Sequence, residues 1–94
     1  MQTFYMLGRY SGNAVKHISA ARTEECSRVI EALGGEIILI DALLGDFYLA
    51  LIVMFKTNVE AMRASLKMQR ETGIAFTTYP AVSVEEFDRF PHSN

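Results

Sequence analysis

The feature that most restricts how this 94-residue chain can fold is an almost continuous apolar run from residue 37 to residue 55. Only two aspartates and one glycine interrupt it. Each carboxylate would cost about 3 kcal/mol near the centre of a membrane-spanning helix, which argues against a transmembrane segment. The adjacent pair Gly45 and Asp46 is typical of a type II′ turn, so the run is interpreted as two antiparallel strands, 36–44 and 47–55.

Cap and glycine signals predict the elements around this run. The segments 57–60 and 83–86 both fit a capping box, in which a hydroxyl residue and a glutamate three positions later satisfy the first backbone N–H groups of a helix. Glycines at 34 and 73 are typical of helix ends. The predicted order is a strand over 3–10, a helix over 14–33, the two strands above, a helix over 57–72, a strand over 74–81 with Pro80 near its edge, and a short helix ending near Phe90.

Both longer helices carry apolar residues at the three- and four-residue spacing of a single helix face. These residues are expected to pack against the sheet. They are Cys26, Val29, Ile30 and Leu33 in the first helix, and Val59, Met62 and Leu66 in the second.

The order βαββαβ, followed by a short C-terminal helix, predicts a ferredoxin-like α+β fold. This fold has a four-stranded antiparallel sheet with two helices on one face. Because a chain of this length holds one core, residues 1–90 are interpreted as a single domain and residues 91–94 as a C-terminal tail. Such a domain buries only about 60–65% of its unfolded surface and is marginally stable by itself.

The sheet face opposite the helices is expected to need a cover. Side chains alternate between the two sides of a strand, and the strands over 36–44 and 47–55 place apolar residues on both sides. A face exposed to water would alternate apolar with polar residues. The simplest cover for a short chain that is 50% hydrophobic is a second copy of itself, sheet against sheet. The expected partner is therefore the chain itself, in a homodimer or a higher homo-oligomer.

Four stretches spread over nearly the whole chain match a known family: TFYMLGRY at 3–10, GGE at 34–36, LGDFYLALIV at 44–53 and SVEEF at 83–87. On these stretches the chain resembles the GYD domain family, small bacterial proteins with a ferredoxin-like fold that pair as dimeric α+β barrels. The naming Gly-Tyr-Asp segment is altered, because Asp46 follows Gly45 and Tyr48 stands at the place of the aspartate. The resemblance implies paired sheets and small-molecule binding inside the barrel, with no established reaction.

Five residues are candidates for a ligand-binding site on the open face: Tyr5, Arg9, Asp41, Tyr48 and Tyr79. Asp41 lies between leucines on its face, so its carboxylate must be paired, protonated or at the mouth of the barrel. It is either a structural charge that discourages edge aggregation or a group that orients a ligand. Arg9 is a plausible ion-pair partner. The tyrosines either line a cavity or fill a dimer interface.

Other chemistry-bearing residues are interpreted as structural. Cys26 falls on the inner helix stripe, so it is read as a core thiol, and His17 as a surface histidine, with a general base as its alternative. No zinc-ligand spacing or phosphate-binding loop is present, so no metal and no cofactor are expected. A net charge of −2 argues against a nucleic-acid partner. One cysteine and no signal-like start suggest a cytoplasmic protein with no membrane partner.

Two functional classes remain open. The first is a non-catalytic module that binds a small apolar molecule between paired sheets. The alternative is a cofactor-independent enzyme, an oxygenase or an isomerase, of the kind that other dimeric α+β barrels host. That alternative rests on analogy between folds.

Overall fold

A computed structural model of the chain describes residues 1–10 and 20–91. The predicted start of the first helix over 14–19, with His17, and the last residues of the tail, 92–94, lie outside the described residues. The elements in chain order are β1 (Gln2–Tyr10), α1 (Ala20–Ala32), β2 (Glu36–Ala42), β3 (Leu49–Phe55), α2 (Asn58–Thr72), β4 (Ile74–Ala81) and α3 (Val84–Asp88).

The four strands form one antiparallel sheet in the order β2-β3-β1-β4. Together with the element order, this confirms the ferredoxin-like α+β fold. The strands β1 and β3 are central, and β2 and β4 are the edges. Pro80 lies in the edge strand β4, as expected for a residue that lacks a backbone N–H group.

The hydrophobic core lies between one face of the sheet and the helices α1 and α2. The expected inner face of α1 is confirmed, because Cys26, Val29 and Ile30 are buried. The largest side chains that are completely buried come from the sheet and both helices: Met6, Ile30, Leu51, Phe55, Met68 and Ile74.

The predicted inner face of α2 is wrong. Met62 is 65% exposed and Leu66 is 55% exposed, and Val59 is exposed as well. The helix instead packs through its smaller side chains, because alanine lets the helix backbone approach the sheet closely. The buried residues are Ala61, Ala64, Met68 and Thr72.

The connection between β2 and β3 also differs from the prediction. β2 ends at Ala42 and β3 begins at Leu49, so the loop is longer than the two residues expected. Among the described residues only Gly34 and Gly73 have positive φ, and a type II′ turn needs positive φ at its first central residue. Gly45 therefore does not form that turn. The backbone N–H of Leu43 donates to the carbonyl oxygen of Tyr48 at 2.8 Å across the loop.

A β-bulge in β2 resets which side chains face the helices. The register pairs Ile37 with Val53 and then Leu39 with Ile52, so Ile38 is an extra residue on its strand. Cross-strand partners lie on the same face, and Val53 is buried, so Ile37 faces the helices. Without the bulge, side chains would alternate strictly along β2, and Ile37 would lie on the side of the sheet away from the helices.

The helix ends follow the predicted cap residues. At the end of α1, Gly34 has a φ of 80°, and the N–H of Gly35 donates to the carbonyl of Ile30 at 2.9 Å, which is the Schellman motif. Thr57 caps α2 by accepting from the N–H of Val59. Ser83 caps α3 by accepting from the N–H of Glu86 at 3.1 Å, the bond expected of a capping box.

Candidate functional site

The candidate site lies on the sheet face that the helices do not cover, called here the open face. Its central row crosses all four strands in register, because Leu39 pairs with Ile52, Ile52 with Tyr5, and Tyr5 with Tyr79. Leu39 is 41% exposed, Tyr5 43% and Tyr79 49%. An apolar row of this kind in the middle of a sheet is unusual for a face in contact with water.

The rows on either side continue this surface. One row contains Asp41, Ala50, Leu7 and Thr77, and the other contains Glu36, Met54, Thr3 and Ala81. The charged residues of these rows, Glu36 and Asp41, both belong to the edge strand β2. The middle of the open face is therefore apolar, and its acidic groups lie at one margin.

The open face is large enough to form a protein interface. Four strands of seven to nine residues give a face of roughly 19 by 25 Å at ordinary strand spacing. Two such faces in contact would bury on the order of 1,000 Å², which reaches the lower range of specific protein interfaces.

Two neighbouring depressions lie at one end of the sheet. The first, called here the hollow, has a volume of about 170 Å³ and is lined by Thr3, Tyr5, Ala81, Val82 and Ser83. The second, called here the α3 groove, has a volume of about 550 Å³ and lies between the start of β1, residues 80–83, and the side chains of Glu86, Phe87 and Phe90. They share Thr3 and residues 81–83, so they are adjacent, and the two together are called here the recess.

The walls of this recess are mostly apolar with a few polar groups. Phe87 and Phe90 form a tilted aromatic pair with ring centroids 5.4 Å apart. Glu86 is the charged side chain among the residues that line the α3 groove. A recess of several hundred Å³ with apolar walls and few polar groups is typical of small-molecule sites.

The structure brings only some of the sequence-predicted site residues together. Tyr5 and Tyr79 are direct cross-strand partners on the open face, and Tyr5 lines the hollow. Tyr48 instead packs its ring against Tyr10, with centroids 6.0 Å apart. Burial raises the pKa of the Tyr10 hydroxyl above its ordinary value. Tyr48 therefore belongs to a different aromatic contact from the central row.

Arg9 does not pair with Asp41 in the described structure. Its Nε donates to the carbonyl oxygen of Asp46 at 2.9 Å, and its guanidinium lies 4.9 Å from the centroid of the Phe47 ring. Asp41 shares a row with Leu7, two strands away, and Arg9 lies one row further on. Strand spacing then separates the backbones of the two residues by roughly 12 Å. Arg9 anchors the loop between β2 and β3 instead.

Sequence reasoning missed the two aliphatic members of the central row, Leu39 and Ile52. The sequence placed both in apolar strands, but it did not identify either one as a site residue. Their alignment with Tyr5 depends on the register of two strand pairs and on the bulge at Ile38. Sequence reasoning also missed Glu86, Phe87 and Phe90 as site residues, although it predicted the helix that carries them. They line the α3 groove because this helix lies beside the start of β1.

Cys26 offers no nucleophile in the folded chain. Its side chain is completely buried, and burial raises the pKa of its thiol to about 11, with the neighbouring Thr72 side chain offsetting part of this rise. We expect Ellman's reagent to react with the native thiol at pH 8 at least about 100-fold more slowly than in guanidinium chloride, because the thiolate is the reactive form. Equal rates in both conditions would contradict this burial.

The raised pKa of the Cys26 thiol makes the stability of the fold depend on pH. The folded state holds the proton of Cys26 more tightly than the unfolded state, in which a thiol has a pKa of about 8.5. The protonated Cys26 thiol therefore makes its full contribution to the free energy of unfolding below about pH 8.5. This contribution decreases as the pH rises toward 11.

Two further properties concern the described ranges, 1–10 and 20–91. Within them, no three His, Cys, Asp or Glu residues are grouped closely enough to hold a metal ion. None of the helices there combines the length and apolar character that a bilayer crossing requires. The apolar run that could have suggested a membrane helix forms β2, the following loop and β3.

Comparison with known proteins finds no matching family model and no similar curated protein. The resemblance to the GYD domain family therefore stays a prediction from four sequence stretches. The site has to be interpreted from its own geometry.

Proposed function

We propose that the chain functions as a homodimer that binds a small, mostly apolar molecule between its two open faces, without catalysing a reaction. The observation that carries this proposal is the exposed apolar row formed by Leu39, Ile52, Tyr5 and Tyr79 across the sheet. A second copy would remove this row from water on both subunits at once. Such an isologous pairing is the commonest form of homo-oligomer.

The pattern of side-chain sizes supports a cavity between the paired sheets. Facing sheets pack about 10 Å apart, so large side chains meet across the gap while small ones leave space. The open face has small residues in the rows beside its central row, namely Thr3, Ala50, Thr77 and Ala81. The hollow already exists over two of them, Thr3 and Ala81.

The chemistry of the recess favours binding over catalysis. Its polar groups include the hydroxyls of Thr3, Tyr5 and Ser83, and the Ser83 oxygen already accepts the N–H of Glu86. These groups can orient a ligand by a few hydrogen bonds. No specific observation favours the oxygenase or isomerase alternative. A cytoplasmic location is part of the proposal, since a free and buried cysteine suits a reducing compartment.

Filling the hollow tests this proposal. We expect Ala81→Leu to weaken the binding of Nile red, a neutral apolar dye, by about tenfold or more, because three added carbon atoms occupy the space over Thr3 and Tyr5. Fluorescence titration of the purified full chain measures this affinity. Sedimentation of the same samples reports whether the dimer persists.

Ala75→Leu is the matched control. Ala75 lies on the same strand and the same face, but it pairs with Arg9 at the other end of β1 and does not line the hollow. This variant should bind Nile red like the wild type. Equal affinities for the two variants, or no saturable binding by the wild type, would contradict the proposed site.

A further inference from the structure

The α3 groove has a chemical character that the hollow lacks. Its far wall is made by Phe87 and Phe90, and Glu86 adds a carboxylate beside them. The residues on the opposite wall are Met1, Gln2 and Thr3, whose side chains carry no charge, although Met1 also carries the α-ammonium group. The side chains of the α3 groove therefore combine one negative group with two aromatic faces.

Glu86 is held in place by the cap of α3. Its backbone N–H donates to the Ser83 hydroxyl at 3.1 Å, and its carbonyl oxygen accepts from the N–H of Arg89 at 3.1 Å. Within the described part of the chain, its carboxylate forms no ion pair. The negative charge is thus available to a bound group.

The neighbouring charges of α3 do not line the groove. Glu85, Asp88 and Arg89 are exposed and lie outside its lining. A charge inside the groove would consequently meet Glu86 and the α-ammonium group of Met1, and it would interact with the other three only through solvent. This difference makes Glu85 a natural comparison for Glu86.

We propose that the α3 groove binds an organic cation, an ammonium group attached to an apolar body. The apolar body lies in the hollow and the inner part of the groove, and the ammonium group lies between the Glu86 carboxylate and the rings of Phe87 and Phe90. Aromatic faces attract cations through the ring quadrupole, and a carboxylate adds a direct charge interaction. This inference rests on the proposed function and adds the chemical class of the ligand.

A neutral ligand of the same shape would bind to the α3 groove more weakly than the cation. An alcohol can donate one hydrogen bond to Glu86, but it has no charge for the carboxylate or for the aromatic rings. Partial exposure of the groove limits the advantage of the cation, so we expect a preference of about fivefold at low salt.

The test compares two ligands with the same carbon skeleton, 2-phenylethylamine and 2-phenylethanol. Each is titrated against Nile red bound to the full-length chain, and the midpoint of displacement is measured. We expect the amine to displace the dye at about one fifth of the concentration that the alcohol needs. Glu86→Gln should remove this difference while leaving displacement by the alcohol unchanged.

Glu85→Gln is the control, since it makes the same chemical change on the same helix outside the groove. It should keep the preference for the amine. Equal displacement by both ligands in the wild type, or the same loss of preference in both variants, would overturn the inference. Failure of Nile red to bind at all would instead count against the proposed function, so the two claims fail separately.

Discussion

Replacing Tyr5 by aspartate is expected to turn the proposed dimer into a folded monomer. Tyr5 lies in the middle of the open face, with Ile52 on one side and Tyr79 on the other. In a face-to-face dimer the substitution would bury a carboxylate from each copy, and each burial costs several kcal/mol. The dissociation constant should therefore rise by at least about a thousandfold, the equivalent of roughly 4 kcal/mol.

Sedimentation equilibrium of wild type and variant measures this change. Because Tyr5 is 43% exposed in the single chain, the monomer itself should tolerate the substitution and keep its circular dichroism spectrum. Val59→Asp is the matched control, since Val59 is also an exposed apolar residue but lies on α2, on the other side of the sheet. A Tyr5→Asp protein that remains as dimeric as the Val59→Asp protein would rule out the open face as the interface.

Enlarging the inner face of α2 is expected to destabilise the fold. Ala64 is completely buried between α2 and its neighbours. Ala64→Leu adds three carbon atoms where the packing leaves no space, so the free energy of unfolding should decrease by about 2–3 kcal/mol. Urea denaturation followed by circular dichroism gives this value.

The comparison variant is Met62→Ala, on the opposite side of the same helix. Met62 is largely exposed, so its truncation should change the free energy of unfolding by less than about 0.5 kcal/mol. If Met62 instead formed the inner face, its truncation would cost about 2–5 kcal/mol. A large decrease in the free energy of unfolding for Met62→Ala, together with a small one for Ala64→Leu, would contradict this orientation of α2.

Local signals predicted much of the fold. The caps at Thr57 and Ser83, the helix ends at Gly34 and Gly73, and the strand over 74–81 all appear in the structure at the expected residues. These features depend on hydrogen bonds and backbone angles within a few residues of each other. Such interactions are fully specified by short stretches of sequence.

The orientation of α2 could not be predicted in this way. The helix carries one stripe of large apolar residues, with Met62 and Leu66, and a second stripe with Ala61, Ala64 and Met68. Periodicity detects both stripes and favours the more hydrophobic one. The close approach of helix and sheet selects the smaller one instead, and that is a property of the assembled layers.

The candidate site was only partly predictable for a similar reason. Alternation identified an apolar second face and placed Tyr5 and Tyr79 on it, and the structure pairs them directly. The bulge at Ile38 and the loop before β3 decide which residues of β2 share that face. The recess beside Glu86 depends on where α3 lies relative to β1, which no local signal specifies.

Together, these observations support one account of the apolar surplus in a short chain. Most of the buried part fills the core beneath α1 and α2, and another part forms the central row of the open face. We propose that association and ligand binding cover this second part.

Native mass spectrometry of the chain, purified at low micromolar concentration without added ligand, shows whether two open faces pair around a ligand. We expect a species of twice the chain mass, carrying an additional small molecule that is released on denaturation. A species with the mass of one chain and no added molecule, persisting as the concentration is raised, would contradict it.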